Sequence, residues 1–138
     1  MGNTRWVNNI EADYTYKSRL VMQGQPQVPG IDCGGTFSPV CRLQSIRMML
    51  VVAAKPDYVV FMLGIQTTFL NADVEKDVLA KMSPSYEIAR KSHFPIVMEL
   101  NTSLYGLRQS PKNWLGTIDY HLAKVGLRLL KSDPCIYV

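Results

Sequence analysis

The longest uninterrupted apolar stretch in this chain is seven residues, Met48 to Ala54. A helix that crosses a bilayer needs roughly 20, so the sequence predicts no membrane span. Each apolar segment must instead pack on another short segment to leave water. The chain has 138 residues, 47% of them hydrophobic and 19% charged. That balance argues against intrinsic disorder, and the length suits one domain with a core of its own. The formal net charge of +4 is a mild basic bias, which permits an anionic partner such as nucleic acid without demanding one. The amino-terminal Met-Gly-Asn-Thr-Arg-Trp has no apolar run behind its charge and reads against a secretory signal. Trp6 stands where a myristoylation motif wants Ser or Thr. Cys33, Cys41 and Cys135 are odd in number and widely spaced, which predicts neither a disulfide framework nor a zinc knuckle. The expectation is a reduced, cytoplasmic protein, with Asn101-Thr102-Ser103 a chance match to the glycosylation pattern.

Proline and glycine divide the chain. Residues Tyr14 to Gln23 alternate in part and predict a strand, with Trp6-Val7 as hairpin partner. Gly24 to Pro39 holds four of the nine glycines and three of the eight prolines and predicts a long loop. Leu43, Ile46, Leu50 and Ala53 recur at helical spacing, so Leu43 to Lys55 predicts a helix that Pro56 stops. Tyr58 to Ile65 is a short run of β-formers that suits a strand buried on both faces. Val78 to Met82 and Ile96 to Leu100 predict further strands. Ser110-Pro111 reads as a helix start, with Ser as N-cap and Pro in the first turn. Leu115, Ile118, Leu122 and Val125 then line one face, and Gly126 closes the helix. A last strand is expected within Cys135 to Val138. The mixed order predicts an α+β fold with a mixed or antiparallel sheet and two main helices.

Few constellations carry chemistry. Only His93 and His121 are available to a hydrolytic triad, and neither a Gly-x-Ser-x-Gly elbow nor a Walker-type phosphate loop is present. His121 lies one residue off the apolar face of the second helix and reads as a surface or partly buried side chain. His93 falls in the charged segment Arg90-Lys91-Ser92-His93. Asp73, Glu75 and Asp77 have period two. On a strand they would share a face and could hold a metal ion; on a turn they are solvated, and with Lys76 among them the solvated reading is preferred. Arg108, Lys112, Lys124, Arg128 and Lys131 are opposed nearby by Asp119. Arg108 and Lys112 flank a helix start, where backbone N–H groups also favour an anion; phosphate contact and a solvated helix face explain these charges equally.

Several blocks line up in order. Tyr16-Lys17-Ser18-Arg19-Leu20-Val21 is followed by Gly30-Ile31-Asp32 and Thr36-Phe37-Ser38-Pro39-Val40, then by Gln66-Thr67-Thr68-Phe69-Leu70-Asn71-Ala72-Asp73. Ser103-Leu104-Tyr105-Gly106-Leu107-Arg108-Gln109-Ser110-Pro111 with Trp114 comes next, and Ser132-Asp133-Pro134-Cys135-Ile136-Tyr137-Val138 ends the chain. In this order and spacing the sequence closely resembles the reverse transcriptase of copia-type retrotransposons, from about Trp6 onward. The resemblance implies a partial right-hand polymerase fold, with fingers and the first half of the palm forming one incomplete domain over residues 1–138. It implies that Lys17 and Arg19 face the triphosphate of an incoming nucleotide, where cations stabilise phosphate charge. The structural alternative for those two is an edge strand protected by charge. Phe69 matches the aromatic residue under the nucleotide sugar, whose bulk selects against a 2′-hydroxyl; a core phenylalanine is its alternative. Tyr105 and Gly106 match the turn supporting nucleotide and template, with a ring for stacking and a glycine for close backbone approach. Arg108, Gln109, Ser110 and Pro111 continue that block toward the template, with structural roles at least as well supported for Ser110 and Pro111. The implied partners are an RNA or DNA primer–template, a deoxynucleoside triphosphate and the remainder of a Pol polyprotein.

The sequence also departs from the family. Intact members use magnesium ions held by aspartates to join nucleotides, and the first of these aspartates lies five residues before the Phe. Here that position is Gly64, which has no side-chain ligand atom. The Tyr-x-Asp-Asp hairpin, the thumb and the RNase H domain are not found in these residues. The expectation is therefore a decayed fragment with no polymerase activity and no bound cofactor, carrying exposed apolar surface and an unpaired strand edge. A retained, non-enzymatic nucleic-acid-binding module is the alternative. A third reading, an excerpt of a polymerase active in a longer product, is opposed by Gly64.

Overall fold

The computed structural model describes residues 1–25, 27–28, 30–55, 58–86, 93–94 and 96–138, with Glu75 and Lys76 described by backbone alone. Strands β1 (Gly2–Ile10) and β2 (Tyr16–Met22) form an antiparallel hairpin, in register from Thr4 opposite Met22 to Ile10 opposite Tyr16. Trp6 and Val7 pair with Leu20 and Arg19, as the alternation predicts. Glu11 N–H to the Thr15 carbonyl (3.0 Å) and Thr15 N–H to Asp13 Oδ1 (3.0 Å) close the turn, the latter an Asx-type bond.

Only the base of this hairpin joins the rest of the sheet. Gly2 and Asn3 run parallel to Ala80 and Lys81 of β3 (Asp73–Lys81), and β3 pairs antiparallel with β4 (Val97–Thr102). The sheet order is β2-β1-β3-β4, a mixed sheet in an α+β arrangement. β3 extends further upstream than the predicted Val78 to Met82, through an irregular register between Asp73 and Val78 that the polar sequence there masks.

The core gathers where the hairpin base, the β3–β4 pair and the segment after β4 meet. It comprises Met22, Val78, Ala80, Leu104 and Leu107, with Leu20, Val74, Met98 and Leu100 packed around it. Burying each of the large side chains contributes roughly 1.5–3 kcal/mol. Thr4 Oγ1 donates to the Lys81 carbonyl at 2.7 Å, fixing the parallel join that two residue pairs alone would hold weakly.

Helix α1 (Leu43–Ala53) and helix α2 (Ser110–Lys124) are the two expected helices. α2 ends as predicted: Gly126 takes φ 91°, and Leu127 N–H reaches back to the Leu122 carbonyl at 3.1 Å, a left-handed closing turn that suits glycine. Its start differs by one residue. Gln109 occupies the cap position, and the buried Ser110 donates its hydroxyl to the Leu104 carbonyl at 2.7 Å. Ser110 is therefore an anchor to the core and not a cap.

Two expectations of burial fail. No residue of α1 is buried, although its apolar spacing predicts a packed face. The run Tyr58 to Ile65 forms no strand, and Met62 and Leu63 stand 99% and 89% exposed. A doubly buried strand needs neighbours on both edges and cover on both faces, and the described residues supply neither. Cys135–Val138 pairs back on the chain outside the four-stranded sheet: Leu129 bridges Tyr137, and Arg128 and Val138 exchange hydrogen bonds of 2.6 and 2.8 Å. The predicted stop at Pro56, the loop prolines Pro26 and Pro29, and Arg90-Lys91-Ser92 lie outside the described residues. Among the described residues no helix is long and apolar enough to cross a membrane.

Candidate functional site

Lys17 and Arg19 are two apart on β2 and so project from one face of the hairpin. The segment after β4 delivers Tyr105 to that face. Met22 N–H donates to the Tyr105 carbonyl at 2.8 Å, and Val21 bridges Tyr105 in parallel. The Arg19 guanidinium then stands 5.9 Å from the Tyr105 ring centroid, within cation–π range. Phe69 meets the same ring edge to face, with centroids 5.0 Å apart at 64°, a favoured aromatic geometry.

Phe69 belongs to a 3₁₀ turn, Thr68–Asn71. The turn is held by its own polar side chains. Thr68 Oγ1 donates to the Ile65 carbonyl at 2.9 Å, and Asn71 Nδ2 to the carbonyls of Gln66 and Thr67, both at 3.2 Å. Thr67 takes φ 49°, which costs a β-branched residue about 1–2 kcal/mol. Between turn and hairpin lies a cleft of about 650 Å³, lined by Trp6, Lys17, Arg19, Gly64, Thr67 and Tyr105 among others. No carboxylate stands among its described lining residues. The Lys17 ammonium bonds Glu11 at the hairpin turn, and that bond holds the Glu11 carboxyl below its ordinary value.

Gly106 separates this cleft from a second one. Gly106 has φ 90°, and a Cβ there would overlap the Met22 carbonyl, while a Cβ on Gly24 would overlap the Gly106 carbonyl. The end of β2 and the Tyr105-Gly106 turn thus cross backbone against backbone, which only glycine permits. Beyond the crossing, Arg5, Val21, Gln23, Gln25, Gly106 and Arg108 line a cleft of about 560 Å³. Arg108 binds the loop as a strut, with Nε to the Gly24 carbonyl and Nη2 to the Gln25 carbonyl, both at 3.2 Å. Gln27 Oε1 accepts the Arg108 N–H at 3.0 Å, and Gln27 Nε2 donates to Gln109 Oε1 at 3.1 Å, both side chains buried.

The structure therefore brings Lys17, Arg19, Gly64, Tyr105 and Phe69 to one place. Gly106 and Arg108 face the neighbouring cleft. Gln109 and Ser110 are buried polar ties, and half-buried Pro111 opens α2. His93 and His121 are exposed. The backbone of Asp73, Glu75 and Asp77 lies on β3, while the Glu75 side chain is outside the described residues. No group of three or more His, Cys, Asp or Glu suited to a metal gathers among the described residues. Gly64 offers no ligand atom, and a Cβ there would meet nothing within 4 Å. The described residues do not fit the magnesium ions that the resemblance implies.

Sequence reasoning passes over Gln27, Thr67 and Trp6 as site residues, because nothing local marks which polar or aromatic side chain a remote segment will meet. It also misses the role of Asp133, quoted above only as part of a block. Asp133 is 1% exposed and accepts from Arg42 N–H at 3.1 Å and Cys135 N–H at 3.0 Å. Its carboxyl lies below its ordinary value, chiefly through the Ser45 hydroxyl and these two N–H groups. Since α1 has no cap of its own, Asp133 caps it from the far end of the chain. Burial, reinforced by the Asp133 charge, pushes the neighbouring Cys41 and Cys135 thiols up, and all three cysteines are free.

Residues 2–138 match the family described as reverse transcriptase (RNA-dependent DNA polymerase). The chain is 38% identical over 138 residues to the retrovirus-related Pol polyprotein from transposon TNT 1-94 of Nicotiana tabacum, an alignment covering 96% of this chain and 10% of that protein. It is 33% identical over 139 residues to the corresponding polyprotein from transposon RE1 of Arabidopsis thaliana, covering 97% of this chain and 9% of the relative. A transposon Ty1-DR5 Gag-Pol polyprotein of Saccharomyces cerevisiae is 28% identical over 136 residues, covering 98% of this chain and 8% of its own length. The chain spans about a tenth of these relatives. No solved structure matches it. With its blocks in family order and nearly every residue inside the match, the chain belongs to the reverse transcriptases of copia-type transposon Pol polyproteins.

Proposed function

We propose that this chain is a catalytically silent reverse transcriptase unit, the fingers and first half of the palm, that keeps a nucleotide-binding cleft. The observation that carries the reading is Gly64, open to the cleft where the family places a metal-binding aspartate. In this reading Lys17 and Arg19 bind the triphosphate, Tyr105 offers a stacking face steadied by Phe69, and Phe69 limits space at the sugar. None of these groups can lower the pKa of a primer 3′-hydroxyl, so binding is not followed by transfer. Primer extension with magnesium and deoxynucleoside triphosphates is expected to give no product. Measurable extension by the purified chain would overturn the reading.

A second reading, a nucleic-acid-binding module, is favoured by the cleft beyond Gly106, where Arg5 and Arg108 stand together. A primer–template probe is then expected to shift at low salt and to be released steeply as salt rises. A flat salt response, or no shift at low salt, removes this reading. A place within a longer Pol polyprotein accords with the relatives, each about ten times the length of the match.

A further inference from the structure

We infer that the cleft between β2 and the Tyr105 turn takes a nucleoside triphosphate as its free polyanion, and that magnesium opposes this binding. The inference rests on the nucleotide reading above and departs from the way metal-dependent polymerases use the ion. Its basis is the charge inventory of the walls. The cleft offers two cations, Lys17 and Arg19, and no carboxylate among its described lining residues. Gly64 leaves open space where a ligand side chain would stand.

A site built for a metal–triphosphate complex balances two effects. The divalent ion removes charge from the phosphates, which weakens their attraction to cationic side chains. The protein recovers this by coordinating the same ion through its own carboxylates. Here only the first effect operates. Magnesium would screen the phosphates from Lys17 and Arg19, and the described lining residues include no carboxylate to return the coordination.

The Lys17–Glu11 ion pair sharpens the preference. An incoming phosphate must compete with Glu11 for the ammonium. Both partners are partly exposed, so the pair is weak and a highly charged anion can displace it. A magnesium complex, with less charge, competes less well. Arg19 has no ion pair among the described residues and stands over the Tyr105 ring, so it can bind phosphate without giving up a carboxylate partner.

Trp6 lines the same cleft, so its fluorescence reports occupancy, with Trp114 as constant background. The full chain is titrated with dATP at one ionic strength, in excess magnesium chloride or in EDTA balanced with sodium chloride. Dissociation constants are expected to be roughly threefold to tenfold higher in magnesium, the size of one or two exposed ion pairs. Arg19→Gln is expected to weaken binding in EDTA and reduce the difference to the part that Lys17 carries, Arg19→Lys to retain most of it, and Glu11→Gln to tighten the EDTA value. Equal or tighter binding in magnesium overturns this inference and leaves the nucleotide reading standing. No binding in either buffer overturns both.

Discussion

The region around the Tyr105 turn and the region from α1 through Ile65 have opposite fates, although the second is the more apolar of the two. In the first, Met22, Leu104 and Leu107 are buried. Backbone crosses backbone at Gly106, and Ser110, Asn113 and Gln109 satisfy buried polar groups from separate segments. In the second, no α1 residue is buried and the Tyr58 to Ile65 run is open to solvent. Apolar patterning creates a demand for burial and does not supply the partner. An 11-residue helix is marginal without one, and the Asp133 carboxylate at its start is a tie to the rest of the molecule.

If that contrast is sound, substitutions of the same kind should differ sharply between the regions. Gly106→Ala is expected to have the largest effect, on the order of 4 kcal/mol, from a positive φ and an overlap that a packed backbone cannot relax. Gly64→Ala, in open space, is its control and should leave the urea midpoint nearly unchanged. Equal midpoints for the two would break the comparison. Next comes Leu104→Ala at about 3 kcal/mol for a buried leucine, again read from urea unfolding.

Asp133 tests the tie between the regions. Its folded pKa is depressed, so its contribution is present above the unfolded value of about 3.9. That contribution is lost as pH falls through the lower folded value. Acid titration followed by amide exchange should therefore free the α1 amides below about pH 4 while those of β3 and β4 stay protected. Asp133→Asn should show fast α1 exchange already at neutral pH. Protection unchanged by either treatment would show that α1 is held by something else.

Two smaller effects complete the series. Thr67→Asn should stabilise by roughly 0.5–1 kcal/mol, since asparagine tolerates the left-handed conformation that threonine resists. Leu63→Ser should change stability by less than about 0.5 kcal/mol and reduce self-association measured by light scattering, because Leu63 is part of an exposed apolar run. A large loss of stability from Leu63→Ser would mean that the run is buried after all.

Much of the local structure is legible in the residues. The hairpin partners Trp6 and Val7, both helices, and the closing turn at Gly126 follow from alternation, helical spacing and glycine placement. Where the reading fails, the missing information is non-local. Ser110 has the composition of a cap, yet its hydroxyl reaches Leu104 because that carbonyl is buried beside it. The Tyr58 to Ile65 run has the composition of a central strand, but composition cannot provide flanking strands. Of the site, Lys17, Arg19, Phe69 and Tyr105 stand out through their blocks. Gln27 and Asp133, whose bonds reach across more than 80 residues, do not.

By itself, then, the sequence determined the family, the two helices, the hairpin, and the absence of a ligand at position 64, because each depends on residue identity or on neighbours within a few positions. The tertiary structure alone decided that Arg19 and Tyr105 line one cleft and that Phe69 packs on the Tyr105 ring. It also made Arg108 a strut for the Gly24 loop and Asp133 a remote cap, and it left α1 without a packed face. These outcomes turn on which distant segments meet, and a periodic pattern carries the strength of the drive to bury without the address of the partner.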